Sequence, residues 1–305
     1  MSLLKTTPQS AGSLAPAAEN FISPRYLRPH PSLRSWVSHY WELEGYFEPS
    51  QPRSLQRLLP GINTAIIFQL AAPVDFRRPD GTWESRPQAF AEGHFHKPFN
   101  LRFMGAFRLV GISFAPGKMH NFLGDSQAQI NNRFVDLSDI LGQAGCLLIE
   151  RVHSASTFEK IAAEFDEFLL ANLANADAPD ERGLDRAVRL AWTRPLAASV
   201  TFLAEVACLS PRQLERRFQD ALGMSPKYFC RVARFDHFVK RWNVGSEERL
   251  ISLAHDCGYF DQSHLNRDFK WFTGETPTGY LHRDRAVPAA ICKLHLDAVG
   301  ASAGF

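Results

Sequence analysis

What this sequence has little of narrows its possible roles first. Cysteine occurs only five times in 305 residues, at Cys146, Cys208, Cys230, Cys257 and Cys292. No two stand at a Cys-x-x-Cys spacing, so neither a zinc ribbon nor a dithiol redox motif is written, and an odd, scattered set is no disulfide framework. Reduced thiols in a cytoplasmic protein are the expected reading. No uninterrupted apolar run reaches the ~20 residues that span a bilayer. The opening "MSLLKTTPQSAGSLAPAAEN" lacks the apolar core of a secretory signal, so no membrane role is expected. A strong net charge is missing too, since 34 Lys and Arg against 32 Asp and Glu leave +2 and no global basic field. No Gly-x-Ser-x-Gly, phosphate-binding loop or kinase signature is present, and no cysteine has a nucleophile's context. The expectation is a soluble chain that is not an enzyme and carries no cofactor.

What is present changes character along the chain. Residues 1–20 are rich in Ser, Ala and Pro and read as a disordered tail. From there to about residue 135 the text is strand-like. "WVSHYWELEG" alternates, which would place Val37, His39, Trp41 and Leu43 on one face and Trp36 and Tyr40 on the other. "NTAIIFQL" and "FRLVGISFAPG" are short β-branched and aromatic runs bounded by turn residues, as in a barrel or sandwich. Trp36, Tyr40 and Trp41 suit either an aromatic ligand pocket or ordinary core, and core is the expectation. Phe158, Ile161, Ala162, Phe165, Phe168 and Leu169 then recur at three- and four-residue steps, predicting an amphipathic helix. The polar stretch 174–183 follows as a linker, and everything after it is helical text. Between 184 and 285 there are 16 Lys and Arg against 12 Asp and Glu, a weak positive excess of the sign that nucleic acid requires.

The helical part repeats itself. "SPRQLERRFQDALGMSP" (210–226) and "DQSHLNRDFKWFTGETP" (261–277) share Leu, Arg, Phe, Gly and Pro at +4, +6, +8, +13 and +16. Leu203-Ala204 and Leu253-Ala254 open the two copies. Each copy predicts a short helix, a tight turn and a capped second helix closed by Gly223 or Gly274. That is the helix-turn-helix plan, whose second helix enters a DNA major groove. A helix from Pro226 to about Val244, ~28 Å long at 1.5 Å per residue, would separate the copies. Two recognition helices on one duplex face need about one turn, ~34 Å, between them.

These residues carry a resemblance. "SPRQLERRFQDALGMSPKYF" and "LISLAHDCGYFDQSHLNRDFKWFTGETPTGY" resemble the DNA-binding domain of the AraC/XylS family of transcription regulators. On "RPHPSLRSWVSHYWELEG", "LLPGINTAIIF" and "LVGISFAPG", the N-terminal part resembles an uncharacterised β-barrel domain of a family subgroup. The subgroup's Pro-Asp-Gly stands here as Pro60-Gly61. The fold class implied is α+β multidomain, an N-terminal mainly-β barrel (cupin-like) domain followed by an all-α double helix-turn-helix domain. The expected organisation is a tail at 1–20, a barrel domain with a C-terminal helix at 21–173, a linker at 174–183, the DNA-binding domain at 184–285 and a tail at 286–305. The resemblance implies a sequence-specific regulator that binds double-stranded promoter DNA. RNA polymerase, a small-molecule effector and a second copy in a homodimer are its candidate partners. The alternative is a metal- or small-molecule-dependent enzyme in the barrel, tethered to a DNA-binding module. A DNA-repair relative that moves alkyl groups onto cysteine would need an N-terminal cysteine cluster, and the first cysteine here is Cys146.

The faces opposite Leu214 and Leu265 nominate the DNA contacts, namely Arg212, Gln213, Glu215, Arg216 and Arg217, then Gln262, Ser263, Asn266, Arg267 and Lys270. The family's base-reading positions match Arg212, Glu215 and Arg216, then Gln262, Ser263, Asn266 and Arg267. Arg suits guanine, and Asn or Gln suits adenine. Lys227, Arg231, Lys270 and Arg283 fit phosphate contacts. Arg216 and Arg267, at the same place in both copies, could instead brace the motif through a carboxylate. One departure stands out: Cys208 occupies the first turn where the second copy has Gly258, which predicts a strained left-handed residue. His94 and His96 in "EGHFHKPF" could share a strand face and hold a metal. No carboxylate stands where a cupin metal site would need one near His120, so a surface or turn pair is expected, and no metal.

Overall fold

The computed structural model describes residues 21–48, 55–62, 64–123, 127–176, 182–194, 199–242 and 247–281. The tails expected at 1–20 and 286–305, and Arg283, lie outside the described residues.

Ten strands come first: β1 (Phe21–Leu27), β2 (Val37–Phe47), β3 (Leu55–Leu58), β4 (Ala65–Gln69), β5 (Asp75–Arg77), β6 (Trp83–Ser85), β7 (Ala89–Glu92), β8 (Phe99–Arg102), β9 (Gly105–Phe114) and β10 (Phe134–Asp136). They pair into a six-stranded sheet, β1-β2-β9-β4-β7-β10, and a four-stranded sheet, β3-β8-β5-β6. The mainly-β domain is as expected, but among the described residues the sheets do not hydrogen-bond to each other, so the barrel is not closed. What joins them is apolar burial. Trp41, Leu43, Ile67, Phe90 and Phe107 of the larger sheet share one core with Leu101 of the smaller.

The other face of the six-stranded sheet is covered by helices: α1 (Met119–Leu123), α2 (Gln127–Ile130), α3 (Leu137–Leu141), α4 (Gln143–Ser154) and α5 (Phe158–Ala176). The three- and four-residue spacing in α5 puts Phe158, Ile161, Phe165 and Leu169 into this second core. Tyr40 is wholly buried there and donates its hydroxyl to Asp166 Oδ1 at 2.8 Å. Trp41 is core as well, and its indole packs where a Cβ on Gly111 would lie 2.5 Å from the ring.

The expected face assignment in β2 fails at its start. Pairing of β2 with β9 runs Val37↔Phe114 and then His39↔Ser113, so one residue bulges. A bulge reverses the alternation beyond it. Val37 therefore joins Tyr40 in the helix-covered core, while Trp41 and Leu43 point between the sheets.

The remainder is helical: α6 (Arg182–Thr193), α7 (Val200–Ala207), α8 (Pro211–Leu222), α9 (Pro226–Arg241), α10 (Glu247–Asp256), α11 (Gln262–Thr273) and α12 (Pro277–Leu281). Helices α5 and α6 thus reach into the stretch 174–183 from both sides. One core, built on Leu214, Phe218, Phe229, Phe235, Phe238, Leu265 and Phe269, holds this part together. Helix α9 ends at Arg241 because Trp242 leaves helical backbone (ψ 76). Its 16 residues span about 24 Å, shorter than the expected ~28 Å.

Candidate nucleic-acid interface

The two helix-turn-helix copies, α7–α8 and α10–α11, are built by the same local chemistry. Cys208 sits in left-handed backbone (φ 57, ψ 39), and Gly258 has φ 82. The hydrogen bonds agree as well. Cys208 N donates to Glu205 O at 3.0 Å, and Gly258 N donates to His255 O at 2.9 Å. The expected strained residue is therefore present, and the bonding of the turn is preserved around it.

Each second helix then starts on a cap. Ser210 Oγ accepts from Gln213 N, and Gln213 Oε1 accepts in return from Ser210 N at 2.9 Å, a reciprocal capping box. Asp261 Oδ1 accepts from His264 N at 2.6 Å. Helices α8 and α11 both stop at a left-handed glycine, Gly223 and Gly274. Leu214 and Phe218, like Leu265 and Phe269, are buried.

The opposite faces carry the nominated residues. Arg212, Gln213, Glu215 and Arg216 are exposed on α8, and Arg217 is half-buried. Gln262, Ser263, Arg267 and Lys270 are exposed on α11, with Asn266 half-buried. Gln213 is engaged in the capping box. Among the described residues, neither Arg216 nor Arg267 meets a carboxylate; Arg267 Nε donates to Ser263 O one turn back, at 3.3 Å.

A carboxylate brace does exist, but it comes from Arg231 on α9. Its Nη2 donates to Asp268 Oδ1 of α11 at 2.7 Å, and Asp268 is only 4% exposed. Its guanidinium also lies over the Trp271 and Phe272 rings. Arg231, read from sequence as a phosphate contact, is thus bound to the fold. Beside it Lys227, Arg231, Phe260, Asp261, His264, Arg267 and Asp268 line a cleft of about 390 Å³ on this face of α11. Phe260 was not singled out from the sequence, although it is 82% exposed.

The N-terminal part grips this module at both motifs. Asn131 Nδ2 donates to Gly223 O at 3.0 Å, at the end of α8. Lys118 pairs with Asp185 at 2.7 Å. Tyr228 donates its hydroxyl to His96 O at 3.2 Å, and Lys97 lies over the Trp271 ring. Arg57 pairs with Glu275 at 3.4 Å, and Ile62 enters the helical core.

The histidine pair is neither in a strand nor wholly on the surface. Both residues follow β7, and their backbone N–H groups donate to Asn131 and Asn132. His94 is buried, which pushes its imidazole down to about 3. Among the described residues no group of three or more His, Cys, Asp or Glu gathers to hold a metal. Burial pushes the Cys230 thiol up to about 11, away from thiolate chemistry. No helix among the described residues is long and apolar enough to cross a membrane.

Comparison with known proteins agrees with this construction. Residues 203–283 match the family described as "Helix-turn-helix domain", and residues 25–136 match the "Domain of unknown function (DUF6597)". No curated protein matches the chain in sequence. Among solved structures, ToxT from Vibrio cholerae is similar at 10% identity and a TM-score of 0.44, over 87% of this chain and 98% of that one. ToxT from Vibrio cholerae O395 bound to (E)-4-(8-methylnaphthalen-1-yl)but-3-enoic acid follows at 10% identity and 0.42, over 75% and 97%. The AraC-like transcriptional activator CuxR gives 14% identity and 0.26, over 70% and 85%. Likenesses this loose are no basis for transferring a ligand. The repeated capped helices and the family match carry the assignment: the C-terminal part is an AraC-type double helix-turn-helix domain, the DNA-binding module of a transcriptional regulator, behind a mainly-β domain of unknown function.

Proposed function

We propose that α8 and α11 read two successive major grooves of one promoter duplex. Arg212, Glu215 and Arg216 from the first helix, with Gln262, Ser263, Asn266 and Arg267 from the second, reach base edges. Gln213, Arg217 and Lys270 contact the flanks, and Lys227 serves phosphate. The division of labour follows the expected partition, with 184–285 binding DNA and 21–173 sensing a small-molecule effector or joining two copies as a homodimer. The protein acts in the cytoplasm, with RNA polymerase as its partner at the promoter, and has no catalytic role.

One observation carries this reading: two similarly bonded turns each deliver a capped helix whose apolar side is buried and whose Arg, Gln and Asn side is presented outward. The test is selection of duplexes from a random library with the full-length protein, followed by binding at rising salt. A two-part site whose affinity falls steeply with salt is expected, because phosphate contacts release counterions. Failure to enrich any sequence, or a flat salt response, overturns the reading.

A further inference from the structure

The two motifs differ by a single inserted residue. The turn residues Cys208 and Gly258 stand 50 positions apart, whereas the caps Ser210 and Asp261 stand 51 apart. Leu209 alone joins turn to cap in the first copy; Tyr259 and Phe260 do so in the second. Tyr259 occupies the place of Leu209, since each donates its N–H to the alanine five residues earlier, Ala204 O or Ala254 O, at 2.9 Å. Tyr259 is buried, so the insertion is Phe260, which is 82% exposed and has no counterpart in the first motif.

Its position gives the ring a definite surface to meet. Phe260 immediately precedes the cap of α11, and the first residues of a recognition helix are those that reach base edges. Its cleft carries Lys227, Arg231 and Arg267 against Asp261 and Asp268, a positive excess that attracts the duplex backbone. A phenyl ring has no donor or acceptor for phosphates or for the polar edges of bases. The apolar group that a base pair offers in the major groove is the thymine C5 methyl. We propose that Phe260 is a specificity-determining residue that packs on a thymine methyl in the half-site read by α11, a contact the first motif lacks. This rests on α11 lying in a major groove.

Duplexes are selected from a random library with the full-length protein and with Phe260→Ala, whose folding is checked by thermal melting. The wild-type pool should carry a thymine at one position of one half-site, and the variant pool should lose that preference alone. Replacing this thymine by deoxyuridine removes only the methyl. It should weaken the wild type about fourfold, the value of one buried methyl-sized group, and leave Phe260→Ala unaffected. Pools that agree at every position, or equal weakening of both proteins by deoxyuridine, overturn the proposal. So does a uniform loss of affinity on all sequences, which would assign the ring to the sugar-phosphate backbone. If the wild type enriches no sequence, groove reading itself falls and the proposal with it, an outcome distinct from the others.

Discussion

The side-chain amide of Asn131 lies 3.0 Å from the carbonyl oxygen of Gly223, so a residue from the N-terminal part closes the end of the first recognition helix. The same side chain accepts from His94 N at 3.0 Å through its oxygen. Asn131→Ala strips a buried donor and a buried acceptor from their partners at once. A loss of about 1–3 kcal/mol is expected, read from urea unfolding of the full chain. Asn131→Asp keeps the acceptor but turns a charge toward the Gly223 carbonyl, and should cost at least as much.

Arg231 and Asp268 make a second testable pair. Asp268 is almost fully buried, and removing Arg231 leaves its charge uncompensated. Arg231→Ala should therefore lower stability by about 3–5 kcal/mol in the absence of DNA. Replacing both, as Arg231→Met with Asp268→Leu, should recover much of that. If Arg231→Ala melts like the wild type and only binds DNA less tightly, the arginine serves phosphate instead.

What could be read in advance was local. The caps at Ser210 and Asp261, the stops at Gly223 and Gly274 and the left-handed Cys208 depend on a few neighbouring residues, and comparing two copies exposed them. The bulge between Val37 and His39 could not be read, because alternation carries no mark of an inserted residue. Nor could the open arrangement of the sheets, which follows from pairings between strands distant in sequence. Arg231 and Asp268 are 37 positions apart, as are His94 and Asn131; Arg231 reads as a phosphate contact and His94 as a surface or turn residue, and only the fold brings their partners to them. Phe260 is the exception, since the 50-versus-51 spacing was in the sequence throughout.

Arg212 and Asn266 bear on base reading. Both are on the outward side of their helices and take no part in the buried core. Arg212→Ala and Asn266→Ala should each cost about 1–3 kcal/mol on the selected duplex, with melting temperatures unchanged. Unaltered affinity in both variants would remove these residues from the interface.

Cys208 holds a conformation that disfavours a side chain, at about 1–2 kcal/mol for a non-glycine residue. Glycine relieves this but is more disordered in the unfolded chain, which returns about 0.5–1 kcal/mol. Cys208→Gly should thus stabilise the protein by up to about 1.5 kcal/mol in urea, and Cys208→Val should destabilise it. A destabilised glycine variant would mean that the thiol contributes packing which outweighs the strain.

Glu92 and His94, two residues apart, titrate in opposing senses. Burial holds the His94 imidazole far below its ordinary 6.5, at about 3. The folded state then binds fewer protons than the unfolded state between those values, so this group's stability is lost as pH falls below 6.5. Burial pushes the Glu92 carboxyl from 4.5 up to about 7, with the Arg86 charge pulling the other way. Here the folded state binds more protons, so stability rises as pH falls from 7 toward 4.5. Each slope is at most about 1.4 kcal/mol per pH unit, and in the wild type they oppose each other between pH 4.5 and 6.5. Glu92→Gln leaves His94 unopposed and should lose about 1–2 kcal/mol relative to the wild type on going from pH 6.5 to 5. His94→Asn leaves Glu92 unopposed and should gain on the same change. Urea unfolding of the three proteins at pH 7, 6 and 5 checks both signs, and parallel stability curves would show that neither group titrates as its burial requires.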